Sequence, residues 1–471
     1  MTVTSFGFRR MNLRVGFPAV LTFVLLMSGL TPFLSGCMDD SVLYSPVPVP
    51  RDAEAFDADP FVTDWFETLA RGAQQTPEFV DPFAARAFAY VSIALHESLR
   101  QGYDEETESI TRVLNNGRPF PPSDTTQRYH WLVVANSAVA GVATHLFRHA
   151  PPEVRARISE REAFVYEGFA GRFSESATLR RSVDYGKNLA TAVIAYADAD
   201  GIGTYEKDPF ATEFTPTQDP SCWHPGNDGG KALLSSWGSM RPFLLTSSEV
   251  GTVLDPGPFP AFSTAHGSTF FTTAMESYTR YANLRPDDRA AIDFWGSKSS
   301  SAGSLSAHMV GIAAQMMRGQ MYSVRFASDL LLRLTLGMAD ASIAAYKAKY
   351  AYPLLRPSVY IAQHINPSTK PDAVIDKLVV PPCPEYCSTT MAMSEAACAA
   401  FAVSFAGDVK ISDKWRGAGY PVERGYVGFA SVLAEIRNAQ MGCGLQYAFS
   451  VEAGSKTGTA VARLHAARLR L

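Results

Sequence analysis

An all-α chain is what this sequence predicts, on three observations. Apolar residues recur at three-and-four spacing in segment after segment, no stretch alternates apolar with polar residues long enough for a half-buried strand, and no internal repeat appears. The segments FVTDWFETLARGA, ARAFAYVSIALHESLRQGY and HWLVVANSAVAGVATHLFRH carry the pattern first. SVDYGKNLATAVIAYADADG continues it and stops at Gly201, a residue suited to ending a helix. Residues 202–262 are crowded with Gly, Pro, Thr and Ser and read as a long irregular connection. Connections of that length usually serve a purpose, such as covering a site or packing two bundles together.

Helical patterning resumes in STFFTTAMESYTRYA, DDRAAIDFWG, LSAHMVGIAAQMMRG and LLLRLTLGMADASIAAYKAKYAY. It closes with CAAFAVSFAG, VGFASVLAEIRNAQMGCGL and SKTGTAVARLHAARL. The expected architecture is therefore two packed helical bundles, residues 60–201 and 286–471, joined by an irregular connection with short helices over 202–285. With 471 residues, 46% of them hydrophobic and 19% charged, the chain has ample material for such a core. A formal net charge of −4 and the lack of a basic stripe argue against nucleic-acid binding.

The first 59 residues have a different character. Arg9, Arg10 and Arg14 precede the apolar run VGFPAVLTFVLLMSGLTPFL, which ends at Leu34-Ser35-Gly36-Cys37. That order of positive, apolar and small residues is an export signal. Its ending resembles the bacterial lipoprotein signal, which implies cleavage after residue 36 and lipidation of Cys37. Several acyl chains on one cysteine hold a protein stably on a lipid bilayer. Residues 38–59, rich in Pro and Asp, then read as an extended tether. Five further cysteines follow, and export permits disulfides among them.

Chemistry points to two places. Lys349 and Arg356 sit seven residues apart in KYAYPLLRP, where Pro353 breaks the helix. In PPCPEYCSTTMAMSEAACAAF, the turn Ser388-Thr389-Thr390 opens a helix, and unpaired N–H groups there suit an anion. Yet that turn holds no His, Asp, Glu or Lys.

Three segments taken in order, ADASIAAYKAKYAYPLLRPSVYIA, PPCPEYCSTTMAMSEAACAAF and EIRNAQMGCGLQYAFSVEAGSKTG, resemble the bacterial vanadium-dependent haloperoxidases, relatives of the type 2 phosphatidic acid phosphatases. The resemblance reaches upstream to ALLSSWGSMRPFLL, IDFWGSKSS and ARAFAYVSIALHESL. It implies a site for vanadate, or for phosphate in the phosphatase branch, with three signatures. Lys349, Arg356 and Pro357 match the first. The second, Pro-Ser-Gly-His, falls on Cys387, Ser388, Thr389 and Thr390. The third, Ser-Arg and then His after five intervening residues, falls on Ala439, Gln440 and Gln446.

The departures carry the functional expectation. The last His is the family's bond to vanadium or its nucleophile, and the amide of Gln446 is a poor substitute for an imidazole lone pair. Thr390 stands where the family has an acid–base His, and its hydroxyl does not titrate usefully. Gln440 removes one positive charge, and Thr389 places a β-branched side chain where Gly lets backbone approach the anion. Lys349, Arg356 and Ser388 remain as a set able to hold a small oxyanion, or as inherited residues paired locally. His266 precedes Lys349 and is out of order for the missing histidines. His308 reads as structural, and His224 has no second metal ligand at suitable spacing, so no metal site is expected. Because the family fold brings the second and third signatures together, the resemblance implies a possible Cys387–Cys443 disulfide. Cys383–Cys387 competes with it, free thiols are a further alternative, and Cys398 reads as a buried helix residue.

The expectation is thus an exported lipoprotein, noncatalytic, acting as a binding or assembly component with protein partners or a small oxyanion and needing no cofactor. The alternative is a haloperoxidase-like or acid phosphatase-like enzyme with an altered site, and vanadate is expected only under that alternative.

Overall fold

Helices dominate the computed structural model, which describes residues 60–103, 107–172, 176–225, 230–295, 304–368, 380–405, 409–414 and 423–469. The segment read as an export signal, Cys37 and the segment read as a tether lie outside those residues, as does the end of IDFWGSKSS. Helix α1 (Phe61–Gln74) is amphipathic, burying Val62, Trp65, Phe66 and Leu69. Helix α2 (Asp81–Leu99) is buried almost along its whole length, as its apolar and alanine-rich sequence requires. Helices α3 (Trp131–Leu146), α4 (Pro152–Ala170) and α5 (Ser176–Asp198) complete the first bundle, with α3 packed on α2, α4 and α5. Helix α4 escaped the sequence reading because only Val154 and Ile158 of it are buried, too few to make an apolar stripe. Gly201 lies just beyond α5 with φ +88°, a left-handed conformation glycine adopts without steric cost.

The described part of the irregular connection holds 3-10 turns at Ile202–Thr204 and Trp237–Ser239 and a short helix α6 (Ser247–Gly251), which a reciprocal Thr246–Glu249 capping box starts. Helices α7 (Thr269–Ala282), α8 (Pro286–Trp295) and α9 (Leu305–Met317) follow. Helix α10 (Val324–Ala351) is the spine of the second half. It packs against α2 on one side and against α12 (Thr389–Ser404) and α14 (Ala448–Arg468) on the other. Short α11 (Pro357–His364) and α13 (Phe429–Gly442) complete the set. A two-stranded antiparallel ribbon, β1 (Lys410–Asp413) with β2 (Arg424–Val427), was not expected. Four-residue strands are too short for alternation to register in the sequence. No described helix is long and apolar enough to cross a membrane.

Two buried polar clusters lock the elements together. Asp340, in the middle of α10, accepts hydrogen bonds from the backbone N–H groups of Phe243 (2.7 Å) and Leu244 (2.9 Å). His465 Nε2 of α14 also lies 2.9 Å from that carboxylate, so one residue ties the connection and the last helix to the spine. At the end of α5, Asp200 accepts from Arg86 Nε at 2.7 Å and from the Tyr90 hydroxyl, fixing α2. Helix α14 reaches α12 closely only because residues 454 and 458 are glycines. A Cβ at Gly454 would lie 2.3 Å from the Ser388 carbonyl oxygen, and one at Gly458 would lie 2.2 Å from that of Ala392.

Candidate functional site

The three segments singled out by sequence converge on one cavity of about 350 Å³. Lys349 sits in the last turn of α10, which ends before Pro353. Arg356 is the N-cap residue of α11, with Pro357 at the first helical position, where its missing N–H costs nothing. Ser388 caps α12, its hydroxyl accepting from the Met391 N–H at 3.1 Å, and Thr389 and Thr390 begin that helix. Such a cap is worth about 1 kcal/mol. Gln440 lies near the end of α13, and Gln446 in the turn before α14. Lys349, Arg356, Thr389, Thr390, Gln440 and Gln446 all line the cavity. Ser388 stays behind its wall, fully buried, with its N–H donated to Ser450 O at 3.0 Å.

The two cations are buried, each 3% exposed. Lys349 Nζ donates to the carbonyls of Pro384 (3.0 Å) and Glu385 (2.9 Å). Arg356 Nη1 donates to Leu445 O at 3.1 Å, and Nη2 to Pro381 O (3.1 Å) and Cys383 O (3.0 Å). Both therefore brace the loop over 380–388. Among the described residues, no carboxylate oxygen lies within 4.0 Å of either charge, and Arg356 Nε has no hydrogen-bond partner. Burial lowers the pKa of Lys349 from its ordinary value.

Two acids that the sequence reading passed over belong to this neighbourhood. Glu385 accepts from the Tyr447 N–H at 3.0 Å and the Ser450 hydroxyl at 2.5 Å. Burial pushes its pKa up to about 7, against the opposing pull of the Ser450 hydrogen bond and of Lys349 and Arg356. Asp81, at the start of α2, lines the cavity and accepts from the Ser306 N–H at 3.3 Å. Burial raises it to about 6. Neither acid was singled out by sequence.

The histidines lie elsewhere. None of the nine lines the cavity. His266 rests on the Phe271 ring, and His308 Nε2 lies 2.7 Å from Asp413 with its ring stacked on Trp295. No cluster of His, Cys, Asp or Glu suited to a metal occurs among the described residues. The proposed Cys387–Cys443 bridge, like its Cys383–Cys387 competitor, is not formed: Cys222, Cys383, Cys387, Cys398 and Cys443 are all free and buried. Cys443 Sγ turns back to its own helix and donates to Gln440 O at 3.1 Å, whereas Cys387 interacts with Thr457. Burial pushes both thiols up to about 11.

This arrangement defines a helical protein with a cavity lined by two buried cations, the hydroxyls of Thr389 and Thr390 and the amides of Gln440 and Gln446. The fold is that of the bacterial vanadium-dependent haloperoxidases. A vanadium-dependent iodoperoxidase matches 87% of this chain and 96% of its own at 23% identity, with a TM-score of 0.76. A bacterial vanadium-dependent chloroperoxidase matches in its holo form at 15% identity, with a TM-score of 0.58 over 83% of this chain and 92% of its own. Its apo form matches at 14% identity, with a TM-score of 0.57 over 82% and 94%. No family model and no curated protein matches the sequence. At these identities the likeness establishes the fold. The cavity's own residues do not fit vanadate: no imidazole is present to bond the metal, and much of the donor capacity of Lys349 and Arg356 is spent on backbone carbonyls.

Proposed function

We propose that this protein is an exported lipoprotein, held on a lipid bilayer through Cys37, in which a haloperoxidase-type fold serves binding and not catalysis. One observation carries the reading: the two positions where the resemblance calls for imidazoles hold Thr390 and Gln446, and no other histidine reaches the cavity. A hydroxyl and an amide hydrogen-bond to a guest, but neither supplies a nucleophilic nitrogen or a proton shuttle near neutral pH.

The direct test is turnover. Purified protein supplied with orthovanadate, peroxide and bromide should brominate a dye no faster than a protein-free control, and phosphate-ester hydrolysis should also stay at background. Robust turnover that disappears in Gln446→Ala would sink the proposal. Anchoring has its own check: Cys37→Ser should move the protein from the membrane fraction to the soluble exported fraction, and an unchanged distribution would refute lipidation.

A further inference from the structure

We propose that the cavity binds an organic monoanion, a carboxylate with an apolar body, and this rests on the noncatalytic reading above. The head of such a guest is specified by the cations. Lys349 and Arg356 are buried in the cavity wall without a carboxylate within 4.0 Å among the described residues, and backbone carbonyls compensate them only in part. An incompletely neutralised buried charge is costly, and a guest carboxylate relieves that cost. Arg356 keeps one N–H, at Nε, without a partner, so the backbone carbonyls do not exhaust its hydrogen-bonding capacity.

The body is specified by the remaining walls. Phe79 and Val80 before α2, Phe210 and Leu233 from the long connection, Ile292 of α8 and Met393 of α12 enclose the space with apolar surface. A volume of about 350 Å³ is at the small end of organic-ligand sites and far larger than an inorganic oxyanion needs. Single charge follows from the same residues. Gln440 brings no positive charge, and Thr389 brings a methyl group into the cradle. Glu385 and Asp81 add negative charge nearby when ionised, which disfavours a multiply charged guest.

The test is equilibrium binding to the purified full chain at low salt, with 2-naphthoate, its uncharged analogue 2-naphthol, and inorganic phosphate as probes. Naphthoate should bind at one site, about tenfold or more tighter than naphthol, and phosphate should not displace it. Arg356→Gln should weaken naphthoate about tenfold and leave naphthol unchanged. Thr390→Glu, at a half-buried position that tolerates substitution more readily, should repel naphthoate selectively should the arginine variant fail to fold. Equal affinity for the two naphthalenes, displacement by phosphate, or no response to Thr390→Glu would each overturn the proposal. These outcomes are independent of turnover, so a failed ligand class and a failed noncatalytic reading give different results.

Discussion

Arg86 and Arg356 are equally hidden from water, yet the molecule treats them differently. Arg86 meets the carboxylate of Asp200, with Tyr90 donating to the same oxygen and the Arg241 carbonyl taking another of its donors. Arg356 meets main-chain carbonyls and the Cys383 sulfur, with no carboxylate within 4.0 Å among the described residues, and borders open space. The first is a carboxylate-paired cation that joins α2 to the residues just beyond α5, with its Nη1 alone left over. The second is an open arrangement, electrically unfinished, that braces a loop and faces a cavity. Burial alone therefore does not say whether a cation belongs to the scaffold or to a site; what surrounds its remaining donors does.

The comparison is broken most directly at Asp200. Asp200→Ala leaves Arg86 buried without its counterion and should cost about 3–5 kcal/mol in denaturant unfolding. A loss under 1 kcal/mol would mean the pair is not structural. The next effect is on pH dependence. Because Glu385 has a pKa raised to about 7 in the fold from an ordinary 4.5, the folded state holds its proton more tightly than the unfolded chain. Its contribution is fully present below about pH 4.5 and is lost as pH rises through 7. Glu385→Gln should flatten the fall in stability across that window by an amount on the order of 2 kcal/mol, leaving the similarly signed contribution of Asp81 at lower pH. Unfolding midpoints measured from pH 4 to 8 would show it, and parallel curves would refute it.

Lys349→Met should cost less than the loss of Asp200, about 1–2 kcal/mol, since it frees two carbonyls and the acid it acts on, Glu385, keeps its own hydrogen bonds and can hold a proton. A loss as large as that of Asp200→Ala would erase the distinction between the two regions. The smallest effect is expected from Gln446→His alone. One imidazole restores neither the charge missing at Gln440 nor the acid–base group missing at Thr390, so halide oxidation should remain at background. Measurable peroxidase activity in that single variant would show that the cradle is closer to working than its residues suggest.

The site was legible in proportion to how local its signals are. Lys349, Arg356 and Ser388 stood out because a helix-breaking proline and a capping hydroxyl mark chain ends where donors accumulate. Their convergence with Gln440 and Gln446 followed from the ordered resemblance. Glu385 and Asp81 were invisible because an acid's environment is made by distant segments, here the turn before α14 and the start of α9. The cysteines teach the same lesson: proximity of two segments in the chain's fold left Cys387 and Cys443 facing different partners. Helix α4 and the β1–β2 ribbon were missed because exposed helices and short strands carry little periodicity.

By itself the sequence determined the helical class, the helix ends at Pro353 and Ser388, and the absence of any histidine at residues 388–390 and 439–446, all properties of residue type and short-range spacing. Only the tertiary structure decided that the connection supplies Phe210 and Leu233 to a cavity wall, that Lys349 and Arg356 bind carbonyls before any guest, and that the thiols stay apart. Those outcomes depend on direction and distance between segments far apart in the chain, which close packing sets and one-dimensional pattern does not contain.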